Sequence, residues 1–376
     1  MKKPLVIYFQ QNPLLGACEE YFYLLMQGLD KKIFDAAFIC PKISTMQSLV
    51  AKVEALGIKV YQYCFDASNL KTIIYLRSLF RRLKPDIAHF NDPCLNGIIA
   101  ARLGGVPVLV MTHHTPELNR RYNIKGKFLE IITLRHSKLK VIFTSEYDRQ
   151  TGVKRDKIKQ ERSFVISYGL PSDKFSPRQE KKEVCNEFAI DEGSRLIANI
   201  ARLSSQKGQH FLIEAAPLVI EKFKSAKFFF VGEGELESEL KALVRKAGLE
   251  NYFVFTGHRT DIPRLLSAFD MLVMPSLFEG LCFAVIEASA MCVPVVATAV
   301  GGMRYSVING KTGLLIPPKD IKALADAILW MLENPAQAKQ MGLAGRKHFT
   351  DNFTQQGMVR KTAELYGSLL KGFPGN

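Results

Sequence analysis

The sequence predicts an α/β protein of two doubly wound domains that face each other across a cleft. Three observations predict it. The 376 residues exceed what one hydrophobic core usually organises. Short apolar runs alternate with helix-like stretches in two rounds, and a turn-rich segment separates the rounds. The residues best suited to chemistry fall just after strand-like runs, and open parallel sheets bind ligands at that edge.

In the first round, Leu5–Phe9, Ala36–Cys40, Lys59–Tyr63, Ile87–Phe90, Val106–Met111 and Val141–Thr144 read as short buried strands bounded by Pro, Gly or Asn. Helix-like stretches between them include Cys18–Leu29, Met46–Leu56 and Leu70–Leu83, and Gly57 suits a helix C-terminus. The span Tyr168–Lys182 collects Gly169, Pro171, Ser172, Ser176 and Pro177, as a linker does. The alternation then restarts. Arg195–Ala201, Lys227–Val231, Phe253–Thr256, Met271–Met274, Val293–Ala297 and Gly313–Ile316 read as strands. Gln209–Lys222, Glu235–Ala247, Ile262–Ala268, Leu281–Met291 and Lys319–Leu332 read as helices. The expected organisation is a first domain at 1–168, a linker at 169–190, a second domain at 191–355 and a C-terminal helix at 356–376 that packs back toward the first domain.

Apolar content of 47% and charged content of 23% are ordinary for a soluble globular protein. No apolar run approaches the ~18–20 residues of a membrane span. The N-terminal Met-Lys-Lys-Pro-Leu-Val-Ile-Tyr-Phe leads into Gln10, Gln11 and Asn12, and reads as a first strand rather than a signal peptide. The seven cysteines are scattered without a Cys-x-x-Cys, which argues against a metal knuckle and for reduced thiols in a cytoplasmic protein. Residues 1–185 hold 30 Lys and Arg against 17 Asp and Glu, and residues 186–376 hold 21 against 19. The basic excess therefore belongs to the first half. An anionic membrane surface or an anionic substrate would answer it. Nucleic acid is not expected, because the aromatic-rich motifs of RNA-binding modules are missing.

Glu279 and Glu287 stand eight residues apart in Pro275-Ser-Leu-Phe-Glu-Gly-Leu-Cys-Phe-Ala-Val-Ile-Glu-Ala288. A strand ends before this run and a helix begins inside it. Backbone N–H groups at such a helix mouth attract anions, and carboxylates accept hydrogen bonds from sugar hydroxyls. Arg202 and Lys207 follow another strand, with Gly208 behind them. A forked guanidinium and a point-charge ammonium there can clamp a diphosphate, or can simply be two solvated cations. The glycines of Phe230-Val-Gly232-Glu-Gly234 admit either a close ligand or a plain turn. Thr256-Gly-His258-Arg could edge a nucleotide base, or leave His258 in solvent. Ala299-Val-Gly301-Gly302 is a further tight turn after a strand.

Together these pieces resemble the retaining glycosyltransferases of group 1, or family 4, a family of GT-B architecture. The resemblance rests on Arg202-x4-Lys207, Val231-Gly-Glu-Gly, Phe255-Thr-Gly, Pro275-Ser-x-x-Glu279-Gly, the Glu-x7-Glu spacing, Gly301-Gly302 and Asn309-Gly-x-x-Gly-Leu-Leu-Ile. It covers about residues 195–318. In the first half, Gly16-Ala-Cys-Glu19, Thr112-His-His114-Thr and Thr144-Ser-Glu-Tyr147 match more loosely. The resemblance implies a nucleotide-diphosphate sugar as donor and a glycan or lipid-linked molecule as acceptor, in cell-surface polysaccharide, lipopolysaccharide or glycolipid synthesis. It implies no cofactor and no metal, and the chain contains no Asp-x-Asp. Arg202 and Lys207 would neutralise the diphosphate. Glu279 would bind the donor sugar, and the backbone of Gly280, Leu281, Cys282 and Phe283 would hold sugar hydroxyls and phosphate. Glu287 would bind the ribose. Gly232 and His258 would line the nucleotide side. Gly16 would approach the diphosphate and His114 would face the sugar, both from the first domain, which binds the acceptor.

The chain departs from the family's pattern at three places. Leu281-Cys282 stands where Gly often follows Glu-Gly, Tyr305 stands where many members have Glu, and Asn91 stands where His is frequent. Two basic stretches are candidate membrane-facing patches for a protein resting on the inner membrane face. One is Arg149 to Arg162, and the other is Arg77, Arg81, Arg82 and Lys84. Two other readings stay open from sequence: another enzyme of this architecture, such as a phosphorylase or a sugar-nucleotide-processing enzyme, and a degenerate glycan-binding subunit.

Overall fold

A computed structural model of the protein describes residues 2–11, 17–64, 69–114, 139–177 and 180–371. The chain forms two units, Met1–Gly169 with Gln355–Asn376, and Leu170–Thr354. Each is a parallel sheet flanked by helices, so the α/β doubly wound expectation holds for both.

The first unit runs β1 (Leu5–Gln10), α1 (Ala17–Gly28), β2 (Asp35–Pro41), α2 (Gln47–Ala55), β3 (Lys59–Tyr63), α3 (Asn69–Leu83), β4 (Ile87–Asn91), α4 (Leu95–Leu103), β5 (Val108–His113), β6 (Lys140–Phe143), α5 (Glu146–Asp156) and β7 (Ser163–Val165). The strand order is β3-β2-β1-β4-β5-β6-β7, parallel throughout. Ile7, Phe9, Phe80, Phe90 and Phe143 share one apolar core. Inner strands such as β1 and β5, buried almost throughout, read as apolar runs, which is why they were legible in sequence.

The second unit runs α6 (Lys181–Glu187), β8 (Arg195–Ile200), α7 (Gln209–Lys222), β9 (Ala226–Val231), α8 (Glu237–Lys246), β10 (Phe253–Gly257), α9 (Ile262–Leu266), β11 (Met271–Met274), α10 (Phe283–Ala290), β12 (Val295–Thr298), α11 (Met303–Ser306), β13 (Gly313–Ile316), α12 (Ile321–Glu333) and α13 (Pro335–Asn352). The order β10-β9-β8-β11-β12-β13 repeats the winding of the first sheet. Ile197, Phe228, Phe230, Val273, Val296 and Ile328 are buried together. In each sheet the order reverses once, between β1 and β4 and between β8 and β11. Ligand sites of doubly wound sheets lie at that reversal, beyond the carboxyl ends of the strands.

Two strands begin later than the apolar runs suggest. Val106 and Val293 each precede a proline, which has no N–H for the ladder, so pairing starts at Val108 and Val295. The sequence reading also lacked β7, α4, α5, α6, α11 and α13. Helix α6 lies within the span 169–190 taken for a linker and belongs to the second unit.

The last helix, α14 (Gln355–Lys371), belongs to the first unit. Gln355 Nε2 donates to the Leu24 carbonyl at 2.7 Å. Gly28 of α1 sits so close to Val359 that a Cβ there would lie 2.6 Å from its methyl group. The buried Tyr366 hydroxyl meets His89 Nδ1 at 2.6 Å, and His89 Nε2 meets Thr112 Oγ1 at 2.7 Å. Within the second unit, Leu170 N–H donates to the Phe353 carbonyl at 2.9 Å, and Leu170 forms a parallel bridge with Thr354. The first and last residues of that unit are thus tied together.

Burial, and after it the neighbouring His114, push His89 from 6.5 down to about 3. A histidine held neutral in the fold binds protons more readily when unfolded. Its contribution to stability is complete above about pH 6.5 and is lost as pH falls toward 3. His89→Gln is expected to flatten the fall in melting temperature between about pH 6.5 and pH 4. Thermal melts at constant ionic strength measure it, and an unchanged slope would contradict the assignment.

Candidate active site

The loops after β8 and β11 meet at the reversal of the second sheet. The β8 loop carries Arg202 and a short turn, Ser205–Lys207, that ends on Gly208 at φ 65°. A Cβ at Gly208 would collide with the Pro275 carbonyl, so glycine is needed for space and for conformation. Leu277 N–H donates to the Gln206 carbonyl at 2.8 Å, and Gln206 Nε2 donates to the Phe278 carbonyl at 3.0 Å. These contacts lock the two loops.

The lock places Lys207 Nζ on Glu279 Oε1, and Ser276 Oγ donates to the same carboxylate oxygen at 2.9 Å. The two side chains are only 18% and 7% exposed. Burial works against the charge on Lys207, but the Glu279 carboxylate and its hydrogen bond outweigh burial and raise the lysine pKa. Arg202 is exposed, and its like charge opposes that of Lys207.

The segment after Glu279 passes Gly280 and Leu281 before Cys282 caps α10 in an extended conformation, φ −90° and ψ 116°. The helix therefore begins at Phe283, later than the sequence reading placed it, and Gly280 and Leu281 lie in the loop. The first helical bond runs from Ile286 N–H to the Cys282 carbonyl. The amino end of α10 leaves its first N–H groups without intrahelical acceptors. Burial, then the Glu279 charge, push the Cys282 thiol up to about 12, so it stays protonated and is no nucleophile. Glu287 lies in the second turn of α10, half-buried. Gly302 packs its Cα against the Gly280 carbonyl, and its N–H donates to the Glu279 carbonyl at 3.2 Å.

Gly232 and Gly234 have a different reason from the one first weighed. A Cβ on either would collide with the carbonyl of Ala201 or of Leu203. Their close approach is to the chain's own Arg202 loop, which Leu203 N–H further ties to the Glu233 carbonyl at 2.9 Å. His258 is exposed, and its backbone N–H donates to Glu233 Oε1 at 3.2 Å.

Three polar residues escaped the sequence reading. Gln209, at the start of α7, is buried and donates to the Arg202 carbonyl at 3.0 Å and to Asn199 Oδ1 at 3.2 Å. Asn199 in turn donates to the Val273 carbonyl at 2.8 Å, joining β8 to β11. Ser276 orients Glu279. The available signal was a polar residue inside an apolar strand, as Asn199 is.

Gly16 lies outside the described residues. His114 lies at the carboxyl edge of the first unit's sheet. Its ring is buried, with Nδ1 on the Tyr168 hydroxyl at 2.6 Å and Nε2 on Asn91 Oδ1 at 2.5 Å. Both ring nitrogens are engaged within that unit.

Two doubly wound sheets and a cation–carboxylate pair at the reversal of the second define a GT-B glycosyltransferase. Sequence profiles agree: "Glycosyl transferases group 1" matches residues 180–348, and "Glycosyltransferase Family 4" matches residues 18–174. The chain belongs to the group 1 glycosyltransferases. A relative from Escherichia coli, UDP-Gal:alpha-D-GlcNAc-diphosphoundecaprenol alpha-1,3-galactosyltransferase, is 28% identical over 96% of both chains. The lipopolysaccharide core biosynthesis mannosyltransferase LpsB of Rhizobium meliloti is 30% identical over 55% of this chain and 61% of its own. Among solved structures, Anabaena HepE in complex with UDP-glucose superposes with a TM-score of 0.86 at 20% identity, covering 97% of this chain and all (100%) of that one.

Glu279→Gln would leave the buried Lys207 ammonium without its counter-charge and is expected to cost about 3 kcal/mol, the low end for breaking a buried pair. The double variant Lys207→Met/Glu279→Gln should cost less than the sum of its singles. Denaturant unfolding measures both, and additive costs would argue that the pair is not coupled.

Proposed function

We propose that the protein is a retaining hexosyltransferase that moves a sugar from a nucleotide-diphosphate donor to a glycan or lipid-linked acceptor, without a metal ion, in the synthesis of a cell-surface polysaccharide, lipopolysaccharide or glycolipid. The observation that carries this reading is the Lys207–Glu279 contact. A cation suited to phosphate touches a carboxylate suited to sugar hydroxyls, so a diphosphate and the sugar attached to it would occupy adjoining places. The names of the relatives support it. One uses UDP-galactose on a diphosphoundecaprenol-linked sugar, and HepE holds UDP-glucose.

In this mechanism the donor takes over Lys207, which with Arg202 neutralises the charge that grows on the leaving diphosphate as the glycosidic bond breaks. Backbone N–H groups from Gly280 to Phe283 add to that field. Glu279, oriented by Ser276, holds the sugar hydroxyls, and Glu287 accepts from the ribose. Gly232 shapes the Arg202 loop, and His258 borders the base. The acceptor hydroxyl attacks on the face the diphosphate leaves, and its proton passes to the leaving phosphate. Glu279 binds and orients; no covalent sugar–protein bond is required.

A panel of UDP-, GDP- and ADP-sugars, scored by thermal shift and then by transfer, identifies the donor. Lys207→Ala and Glu279→Ala are each expected to lower kcat/KM by about 100-fold or more. Glu287→Ala should act mainly through donor KM, and EDTA should leave the rate unchanged. Full turnover in Lys207→Ala would reject the site.

The same reading places the enzyme on an anionic membrane, as a peripheral protein of the cytoplasmic face. None of the described helices is long and apolar enough to cross a bilayer. Of the two basic stretches, the α5 side has three of its six cations paired: Arg149 with Glu146 at 2.6 Å, Arg155 with Asp156 at 2.8 Å, and Lys159 with Glu161 at 3.8 Å. Arg81 and Arg82 at the end of α3, and Lys84 just after it, are exposed and have no ion pair among the described residues. Beside them Leu70, Ile74 and Tyr75 are 68%, 58% and 48% exposed. A helix face mixing apolar side chains with cations suits a bilayer interface. Arg81→Glu/Arg82→Glu should reduce co-sedimentation with anionic vesicles, and the parent should bind neutral vesicles weakly. Equal binding of the parent to both vesicle types would count against membrane attachment.

A further inference from the structure

The reversal point of the first sheet carries a buried chain of polar groups that the proposed donor chemistry does not use. Gln10 ends β1 and Asn91 ends β4, and they meet across the reversal, Asn91 Nδ2 to Gln10 Oε1 at 2.5 Å. Gln10 Nε2 donates to Glu19 Oε1 at 2.7 Å. Asn91 Oδ1 meets His114 Nε2 at 2.5 Å, and His114 Nδ1 meets the Tyr168 hydroxyl at 2.6 Å. All five residues are at most 4% exposed.

The chemistry of the head group fixes the direction of the whole chain. An ionised carboxylate only accepts. Glu19 therefore takes the amide N–H of Gln10 and turns the Gln10 oxygen toward Asn91. That oxygen takes the amide N–H of Asn91 and turns the Asn91 oxygen toward His114. An oxygen facing Nε2 requires a hydrogen there. In a neutral imidazole the other nitrogen then carries the lone pair, so the Tyr168 hydroxyl must donate to Nδ1. A third tie, from His114 N–H to Asp92 Oδ1 at 3.2 Å, holds the backbone beside the ring.

We propose that Glu19 is a positioning residue which, through Gln10 and Asn91, holds His114 as the neutral tautomer with hydrogen on Nε2 and so fixes its ring and the end of β5 for the transfer reaction. Asn91 is an adapter in this chain. Its amide passes the direction on, whereas a neutral histidine there would not present an amide oxygen to Nε2. Glu19→Gln removes the constraint. An amide at 19 can donate to Gln10, every link can reverse, and His114 can carry its hydrogen on Nδ1 and donate to Tyr168.

The test is long-range ¹H–¹⁵N correlation spectroscopy of the histidine rings in the full chain without any ligand, with His114 assigned by loss of its signals in His114→Gln. The parent is expected to show the Nε2–H tautomer from pH 6 to 8. Glu19→Gln should convert it in whole or part to Nδ1–H, and Glu19→Gln/Asn91→Asp should restore Nε2–H, because a carboxylate then accepts directly from the ring. Gln10→Leu cuts the chain without adding charge and should yield a mixture of tautomers. It carries the test if Glu19→Gln does not fold. An Nδ1–H tautomer in the parent, or no change in any folded variant that cuts the chain, overturns the relay. This arm needs no donor, so it stands or falls apart from the proposed transfer reaction, on which only the kinetic role rests. With a donor in hand, Glu19→Gln should lower kcat at least fivefold, leave donor KM within twofold, and regain rate in the double variant. A rise in KM with kcat unchanged would overturn the positioning role.

Discussion

Parallel pairing is the constraint on which the rest of this structure depends. A parallel sheet needs a crossover after each strand, so every strand of a unit delivers its following loop to the same edge. In the second unit that edge receives Arg202 and Lys207 from β8 and Glu279 from β11, although Lys207 and Glu279 are 72 residues apart in the chain. The reversal of strand order opens room between these loops, and the glycines decide how close they come. Gly208 admits the Pro275 carbonyl, Gly232 and Gly234 admit the Arg202 loop, and Gly302 admits Gly280. Without these contacts the ammonium and the carboxylate would each face burial alone, which costs far more than burying them as a pair.

The two units answer the same topological position with different electrostatics. In the second unit the reversal point holds formal charges of both signs, a largely buried Lys207–Glu279 pair with the exposed Arg202 on the same loop. In the first it holds a buried line of neutral groups ended by one carboxylate, which gives direction and rigidity rather than charge. His89 belongs to the same inner layer. Burial keeps it neutral, and its two nitrogens join Thr112 on β5 to Tyr366 on α14.

Much of this was legible in the sequence, for physical reasons. A strand covered on both faces appears as an apolar run, so Met271–Met274 was placed to the residue, and the edge strands Lys59–Tyr63 and Gly313–Ile316 were placed as well from their bounding turns. Prolines shifted the starts of β5 and β12 because an apolar run does not reveal which N–H is missing. Arg202, Lys207 and Glu279 stood out because charge beside glycine at a strand end is unusual. Gly232 showed that a close approach was needed, but glycine looks the same whether a ligand or the chain's own carbonyl approaches. Gln209, Asn199 and the line from Glu19 to Tyr168 were illegible. Their meaning lies in partners far along the chain, such as Gln10 and Asn91, 81 residues apart.

The place of α14 has a consequence for how the protein is made. The second unit is one continuous stretch, with its first and last residues bridged through Leu170 and Thr354. The first unit is interrupted by it and is completed only by the last helix, which supplies Tyr366 to His89 and Val359 to the notch at Gly28. A ribosome emits the chain in order, and domains tend to fold as they emerge. The unit that starts first therefore finishes last, and its sheet waits through the synthesis of the whole second unit with the α14 face of α1 and the His89 pocket uncovered. During that interval the nascent chain exposes apolar surface that the finished protein covers, which is the surface that drives aggregation. A chain that ended at residue 354 would contain the whole second unit and lack the helix that completes the first.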